Sequence, residues 1–464
     1  MLGTGHIPIR DTWSYSVPGS SIRIHEWLAE AIFAVAYQCC GVTGLKLIKL
    51  ICATVTIGAL AIGLAQTTAS IRIQRMILIL AGGALTIQMQ YRPQLFTFAM
   101  LSIVMATIAI EVYRGGARRW PLIPMFALWA NLHGGFTTGL GALGLAASVI
   151  AIQEVMAGKM PSRGLRLGIV TIFAAGATVL NPNGIGIWTN VLHSVSDPLL
   201  RQIVSDWVPL PVLLISIWKT SALELMQLVL TLGLFGAFIY SIVMAPTLDD
   251  APMMAVAIVF IGAGFYMVRN LALGVIAVAI PLAHHLDLAF AKRSDADSKS
   301  AQLDPIPVRI AILIAVVAIT IVMFGNRLPN FASQPEGAVA FMNAHGLHGN
   351  ILNQFEWGDY IIWHQPQSRI FIDVRAELVY PDYVMREYAD FHYGKPGAER
   401  ALQKYPTDFI LIKPEMSGYG LIASDPAWRI IYQDQVATLF APASPATERA
   451  PEASRTDDRG KYFP

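Results

Sequence analysis

Apolar runs separated by short polar breaks occupy the chain as far as residue 324. They fall at 44–65, 76–89, 94–112, 121–132, 136–155, 167–180, 223–244, 253–268, 271–288 and 308–324. A hydrocarbon core of about 30 Å takes about 20 helical residues to cross, so several of these runs are short for a span. The pattern predicts about ten transmembrane helices, each end uncertain by a few residues. Residues 26–40 have helical periodicity but too short an apolar stretch, which places them along the membrane interface. Beyond Pro329 the pattern becomes that of a small soluble domain. Helices are expected at 336–345 and 398–405, strands at 349–363, 368–373 and 408–412, and a hairpin-like pair at 428–439. Four regions follow: a loop and interfacial helix (1–43), a transmembrane domain (44–328), an α/β domain (329–442) and a disordered tail (443–464).

Charge orients the bundle. Arg72 and Arg75, then Arg114, Arg118 and Arg119, then Lys159, Arg163 and Arg166, and later Lys292, Arg293 and Lys299 fall in loops of one parity. Basic loops stay in the cytoplasm, so these define the inner face. Asp249 and Asp250 share that parity, but acids weigh little in the rule. The C-terminal domain is then expected on the outer side.

The unusual polar residues gather on that outer side. Trp129-Ala130-Asn131-Leu132-His133-Gly134-Gly135-Phe136 breaks what is otherwise one apolar run. A polar break at membrane depth is tolerated where it is buried in protein or lines a cavity. Arg92 and Arg269 stand alone between apolar helices. Singly, each reads as a side chain snorkelling to headgroups. Together with His133 and Asn131 they read equally as a site for an anion, since the guanidinium fork matches phosphate. Asn181-Pro182-Asn183-Gly184 has the chemistry of a helix-ending turn, and it opens a long outer loop through Asp206 and Trp207. The first segment adds Asp11 and the trio His25-Glu26-Trp27. Asp11 suits a turn cap, and Glu26 suits the first turn of a helix. An acid beside an Arg-lined cavity is also the minimum needed to deprotonate a hydroxyl. His25 and His133 suit structural roles equally, and neither marks a metal site.

Composition narrows the field. The chain has 464 residues, 55% hydrophobic and 14% charged, with mean hydropathy +0.52. Such a balance belongs to an α-helical polytopic membrane protein. The net charge of +2 says nothing about nucleic acid, and the sequence has no Lys/Arg tract of the kind such binding needs, so no nucleic-acid partner is expected. Cys39, Cys40 and Cys52 lie in or beside apolar segments and make no disulfide framework. No Walker, Rossmann or Ser-elbow motif is present, so a cytosolic nucleotide donor is unsupported.

Several stretches resemble one group of bacterial multi-spanning membrane proteins. They are His6-Ile7-Pro8-Ile9-Arg10-Asp11-Thr12-Trp13-Ser14-Tyr15, His25-Glu26-Trp27-Leu28, Arg92-Pro93-Gln94, Trp129 with Asn131-Leu132-His133-Gly134, Asn181-Pro182 with Gly184, and Arg269-Asn270. Trp357-Gly358-Asp359-Tyr360 and Ile372-Asp373-Val374-Arg375 are similar to that group's periplasmic C-terminal domain. The group belongs to, or lies near, the GT-C superfamily of glycosyltransferases that use polyprenyl-phosphate sugars. The resemblance implies an inner-membrane enzyme transferring a sugar, with inversion, from the lipid phosphate to a polysaccharide, lipid or protein at the periplasmic face. An acid of the first outer loop would be the base: Asp11 first, Glu26 second. Arg92 and Arg269, with His133 and Asn131, would hold the donor phosphate, and His25, Asn181, Asp206 and Trp207 would make acceptor or loop contacts. Relatives usually carry a further helix and an acidic motif ahead of Leu2-Gly3-Thr4; this sequence begins after that point. The other expectation is a non-catalytic protein binding polyprenyl-linked intermediates with the same cavity. A transporter fits less well, because no inverted repeat or matching inner half-site is visible.

Overall fold

A computed structural model describes residues 6–22, 24–86, 88–196, 207–215, 222–293 and 334–443. The expected span at 308–324, Asp206 and the tail from 444 onward lie outside them. The chain divides into a helical unit, His25–Val191 with Ser205–Asn326, and a sheet unit, Met1–Ile24 with Leu192–Val204 and Arg327–Pro464. The division falls between residues 24 and 25. The boundary expected at 43–44 falls inside a helix instead.

The helices are α1 (Trp27–Leu64), α2 (Ile71–Leu85), α3 (Gln94–Arg114), α4 (Leu122–Leu132), α5 (Phe136–Met156), α6 (Ser162–Ala177) and α7 (Gly186–Ser196), then α8 (Leu210–Ile215), α9 (Ala222–Met244), α10 (Ala251–Tyr266) and α11 (Leu271–Arg293). Among the described residues, five helices are long and apolar enough to cross a membrane: α1, α3, α5, α9 and the segment Val268–Phe290. The chain is thus a multi-pass helical membrane protein. The runs expected at 76–89, 121–132, 167–180 and 253–268 are helical too. At 1.5 Å per residue, however, even the 16 residues of α6 or α10 reach only about 24 Å.

Gly41 interrupts α1 with φ of 57° and ψ of −143°, a left-handed backbone that an L side chain resists. The carbonyl of Ala36 lies where a Cβ on Gly44 would have to go, so glycine there lets the two halves of the kink close up. The hydrophobic core centres on α11. Its most apolar window is 83% buried, against 39% for α5 and α9, which makes it the axis the others pack around. Outward, Ile62, Ile172, Phe173, Val229 and Val259 are exposed, as a lipid-facing surface requires.

The sheet unit adds α12 (Glu336–Ala344), β1 (Asn350–Asn353), α13 (Gly358–His364), β2 (Arg369–Ile370), α14 (Asp382–His392), α15 (Arg400–Lys404), β3 (Phe409–Ile412), α16 (Ser417–Ala423), β4 (Trp428–Gln433) and β5 (Thr438–Pro442). The strand order is β2-β1-β3-β5-β4. β1 runs parallel to β2 and to β3, while β5 is antiparallel to β3 and β4. Ile351 pairs with both Ile370 and Phe409, so the middle of the sheet is apolar. The strand expected over 349–363 ends at Asn353. A 3-10 turn, Phe355–Trp357, and α13 follow it, because Gly358 packs directly against Asp373 and Ile372, too close for any side chain. The strand expected over 368–373 is likewise cut short. Asn353 Nδ2 donates to the Ile372 carbonyl, and its Oδ1 accepts from the Phe371 amide.

The N-terminal segment belongs to this sheet. The Tyr15 amide donates to the Ile370 carbonyl at 3.0 Å, and the Ile370 amide to the Trp13 carbonyl at 2.9 Å. Ser14 forms a parallel bridge with Ile370, and the Ser16 hydroxyl donates to the Phe371 carbonyl at 2.5 Å. Residues 13–16 therefore extend the sheet beyond β2.

Candidate functional site

Two carboxylates from the first residues of the chain have different surroundings. Asp11 belongs to the sheet unit and is 1% exposed. Its Oδ1 accepts from Arg375 Nη1 at 2.8 Å, and its Oδ2 from the Ser14 amide at 2.9 Å and from the Ser14 hydroxyl. Arg375 forks across Asp373 as well and lies 4.9 Å over the Trp13 ring. One guanidinium thus bridges two buried acids, and the whole group fastens the N-terminal segment to the domain.

Glu26 opens the helical unit, in the residue before α1. His133 Nε2 approaches Glu26 Oε1 to 3.4 Å, and His25 Nε2 approaches it to 3.5 Å. Both contacts are longer than an ordinary hydrogen bond. The Glu26 side chain stays 26% exposed, enough to meet a ligand.

His133 is fixed from behind. The chain turns extended there, at the C-terminal end of α4. Its Nδ1 accepts from the Gly135 amide at 3.0 Å and lies 2.7 Å from the Thr97 hydroxyl, which accepts in turn from Trp129 Nε1 at 3.0 Å. An Nδ1 that accepts from a main-chain amide leaves the ring proton on Nε2, pointed at Glu26. Gly135 sits so close to Thr97 and His133 that a Cβ would collide with both, and Gly139 is similarly tight against the Trp129 ring. The Gly pair therefore lets α3 and the α4–α5 turn approach each other.

Arg269 lies in the 3-10 turn Val268–Asn270, 5.0 Å over the Trp207 ring. Its carbonyl accepts from Gln94 Nε2 at 3.3 Å, which brings this turn to the start of α3. Burial pushes the Glu26 carboxyl up, but His133, His25 and the Arg269 guanidinium outweigh it and hold it well below the usual range. Burial pushes His133 down to about 4, opposed by Glu26 and assisted by Arg269 and His25. At neutral pH the group is a carboxylate between imidazoles, with Arg269 as its permanent cation.

The remaining expected site residues divide. Asn131 braces helices: Nδ2 donates to the Ala127 and Leu180 carbonyls, both at 2.8 Å, and Oδ1 accepts from Trp27 Nε1 at 2.8 Å. Both amide hydrogens are engaged, so it has no donor left for a phosphate. Asn181 closes its own turn, donating to the Thr178 and Gly184 carbonyls and accepting from the Asn183 amide. Arg92 is exposed just ahead of α3. Among the described residues, no group of three or more His, Cys, Asp or Glu could hold a metal ion.

Two buried polar groups went unread in the sequence. His285 Nε2 meets Asp250 Oδ1 at 3.0 Å with both side chains wholly buried, and the Tyr113 hydroxyl donates to Asp250 Oδ2 at 2.9 Å. Glu111, also wholly buried, is gripped by Arg119, by Arg163 Nε at 3.1 Å and by the Ala117 amide at 3.2 Å. Each had one signal: the His284-His285 pair inside an apolar run, and an acid one residue from the end of another.

No family model matches the chain, and no curated protein matches it. Among the solved structures similar to it are two of the Archaeoglobus fulgidus oligosaccharyltransferase. The apo form gives a TM-score of 0.47 at 12% identity over 89% of this chain and 64% of that one. The complex with Zn and sulfate gives 0.45 at 14% identity over 88% and 62%. The chain therefore spans less than two thirds of that protein. A likeness this distant fixes neither chemistry nor ligand.

Proposed function

We propose that this protein is a glycosyltransferase of the bacterial inner membrane, moving a sugar from a polyprenyl-phosphate donor to an acceptor hydroxyl at the periplasmic face. One observation carries the reading: a partly open carboxylate, Glu26, is set between two imidazoles with the Arg269 guanidinium in its field. In the proposed reaction the bond between the anomeric carbon and the phosphate oxygen breaks, and the phosphate leaves with the electron pair. Arg269, aided by Arg92, neutralises that leaving charge. The acceptor oxygen bonds to the opposite face of the anomeric carbon, and its proton passes to Glu26. A carboxylate this acidic is a weak base, so it accepts the proton late, once bonding to carbon has acidified the hydroxyl. Before that step its negative charge steadies the developing oxocarbenium ion. His133, held by Thr97 and Gly135, aims the carboxylate. Glu26 replaces Asp11 as the preferred base because both oxygens of Asp11 are taken by Arg375 and Ser14.

The low basicity of Glu26 also favours a second reading, a protein that binds polyprenyl-linked intermediates without transfer. A screen of lipid-linked sugars against wild type and Glu26→Gln decides between them. Turnover by wild type that Glu26→Gln abolishes supports the transferase. Tight binding by both, with no turnover of any donor, establishes the binder.

A further inference from the structure

Lys49 lies about two turns beyond the Gly41 kink, inside the apolar part of α1. It is 3% exposed. Among the described residues it has no carboxylate partner and no side-chain hydrogen bond. What it faces is the Tyr91 ring, with Nζ 5.3 Å from the centroid. The Tyr91 hydroxyl is itself buried without a hydrogen-bond partner. An ammonium withdrawn into a membrane helix without a counter-charge loses more hydration than one aromatic face returns. Among the described residues, two buried acids of the helical unit are paired, Glu111 with two arginines and Asp250 with His285. Lys49 has no such pairing, and the buried Tyr91 hydroxyl, also without a hydrogen-bond partner, stands beside it.

We propose that Lys49 and the Tyr91 hydroxyl form an anchor for the phosphate of a membrane lipid. The donor set suits that group, with three ammonium hydrogens and one phenolic hydrogen facing oxygens that only accept. Arg92 follows Tyr91 in the chain and adds a second positive charge at the start of α3. Gln94, two residues on, ties the same end of α3 to the Arg269 carbonyl. A soluble anion would have to reach a side chain set within an apolar helix, whereas a lipid phosphate arrives from the bilayer. Identifying that lipid with the sugar donor rests on the transferase reading; phosphate binding at Lys49 does not.

The test is binding without chemistry, in nanodiscs of phosphatidylcholine. A long-chain polyprenyl monophosphate is titrated against wild type, Lys49→Met, Lys49→Arg and Tyr91→Phe, and phosphatidylglycerol is titrated in parallel. Lys49→Met is expected to bind polyprenyl phosphate about tenfold more weakly and Tyr91→Phe several-fold more weakly. Lys49→Arg should stay close to wild type, since it keeps the charge. Equal dependence on Lys49 for both lipids assigns the anchor to lipid phosphates in general; dependence for polyprenyl phosphate alone assigns it to the donor. Wild-type affinity in Lys49→Met overturns the proposal. Should that variant not fold, unchanged affinity in Tyr91→Phe, which removes a single oxygen, overturns it instead. Loss of transfer in Glu26→Gln with unchanged binding in Lys49→Met would sink the anchor and leave the transferase standing.

Discussion

Asp11 and Glu26 are rivals on the sequence: two acids near the start of the chain, both suited to be a base. Their surroundings separate them. Asp11 is sealed, and its oxygens meet a guanidinium, an amide and a hydroxyl at hydrogen-bonding distance. Glu26 is partly exposed, and its neighbours stand off at 3.4 and 3.5 Å. A carboxylate whose lone pairs are all taken at short range is holding structure together. One held in a field of longer contacts keeps capacity for something that is not there yet.

The sharpest way to break this contrast is Arg375→Ala. It strands two buried acids, Asp11 and Asp373, and should destabilise the sheet unit by about 3–5 kcal/mol. Limited proteolysis should then cut the N-terminal segment, which wild type protects. Protection retained in Arg375→Ala would mean that the strand at residues 13–16 holds without its ion pairs. The matching change at the other acid, Glu26→Gln, should cost transfer about 10²–10⁴-fold while costing less stability than Arg375→Ala, because the side chain is partly exposed and its neighbours stand farther off. A large loss of stability with little loss of transfer would put Glu26 in the same class as Asp11.

pH sharpens the comparison next. His133 takes up protons near 6.5 when unfolded but at about 4 when folded. Between those values the unfolded state binds more protons, so stability falls as pH drops from about 6.5 to about 4. Glu26 adds to the same trend below about 4.5, because its folded form also resists protonation. Thermal melts of wild type across this window should show the decline, and His133→Gln should flatten its upper part. A wild-type melt independent of pH from 7 to 4 would mean that His133 is not buried as a neutral ring.

Much of the helical pattern was legible because hydrocarbon-length apolar runs report themselves residue by residue. The polar turn Asn131 to Gly135 was legible for the same reason, as an interruption. What each polar residue does there was not. Asn131 and His133 look alike as breaks in an apolar run, yet one braces carbonyls and the other aims at a carboxylate. Partnerships over long separations were also hidden. Arg375 and Asp11 are 364 positions apart, and nothing local marks either as the other's partner. Arg119 and Arg163 were read through the loops they occupy, whereas their guanidiniums close on the buried Glu111. Asp250 was given little weight in a short acidic loop, and it proves wholly buried against His285. Lys49 disappeared into the run at 44–65, because two lysines, Lys46 and Lys49, do little to the mean of an apolar window. Periodicity reports which face a side chain occupies; it does not report whether a charge there has found a partner.

Thr97→Val gives the smallest effect and the finest discrimination. It keeps the shape of the side chain but removes the hydroxyl between Trp129 Nε1 and His133 Nδ1. Two buried groups lose a partner, yet the Gly135 amide still holds Nδ1 at 3.0 Å, so the ring keeps its tautomer. Stability should fall by about 1–3 kcal/mol, the cost of leaving the buried Trp129 Nε1 without its acceptor. Transfer should fall more than donor binding does, because a loosened imidazole misaims Glu26 without touching the lipid phosphate. Thr97→Ser restores the hydroxyl and should recover both. If Thr97→Val lowers stability and leaves transfer at the wild-type rate, the hydrogen-bond chain behind His133 holds the α4–α5 turn and has no part in setting the carboxylate.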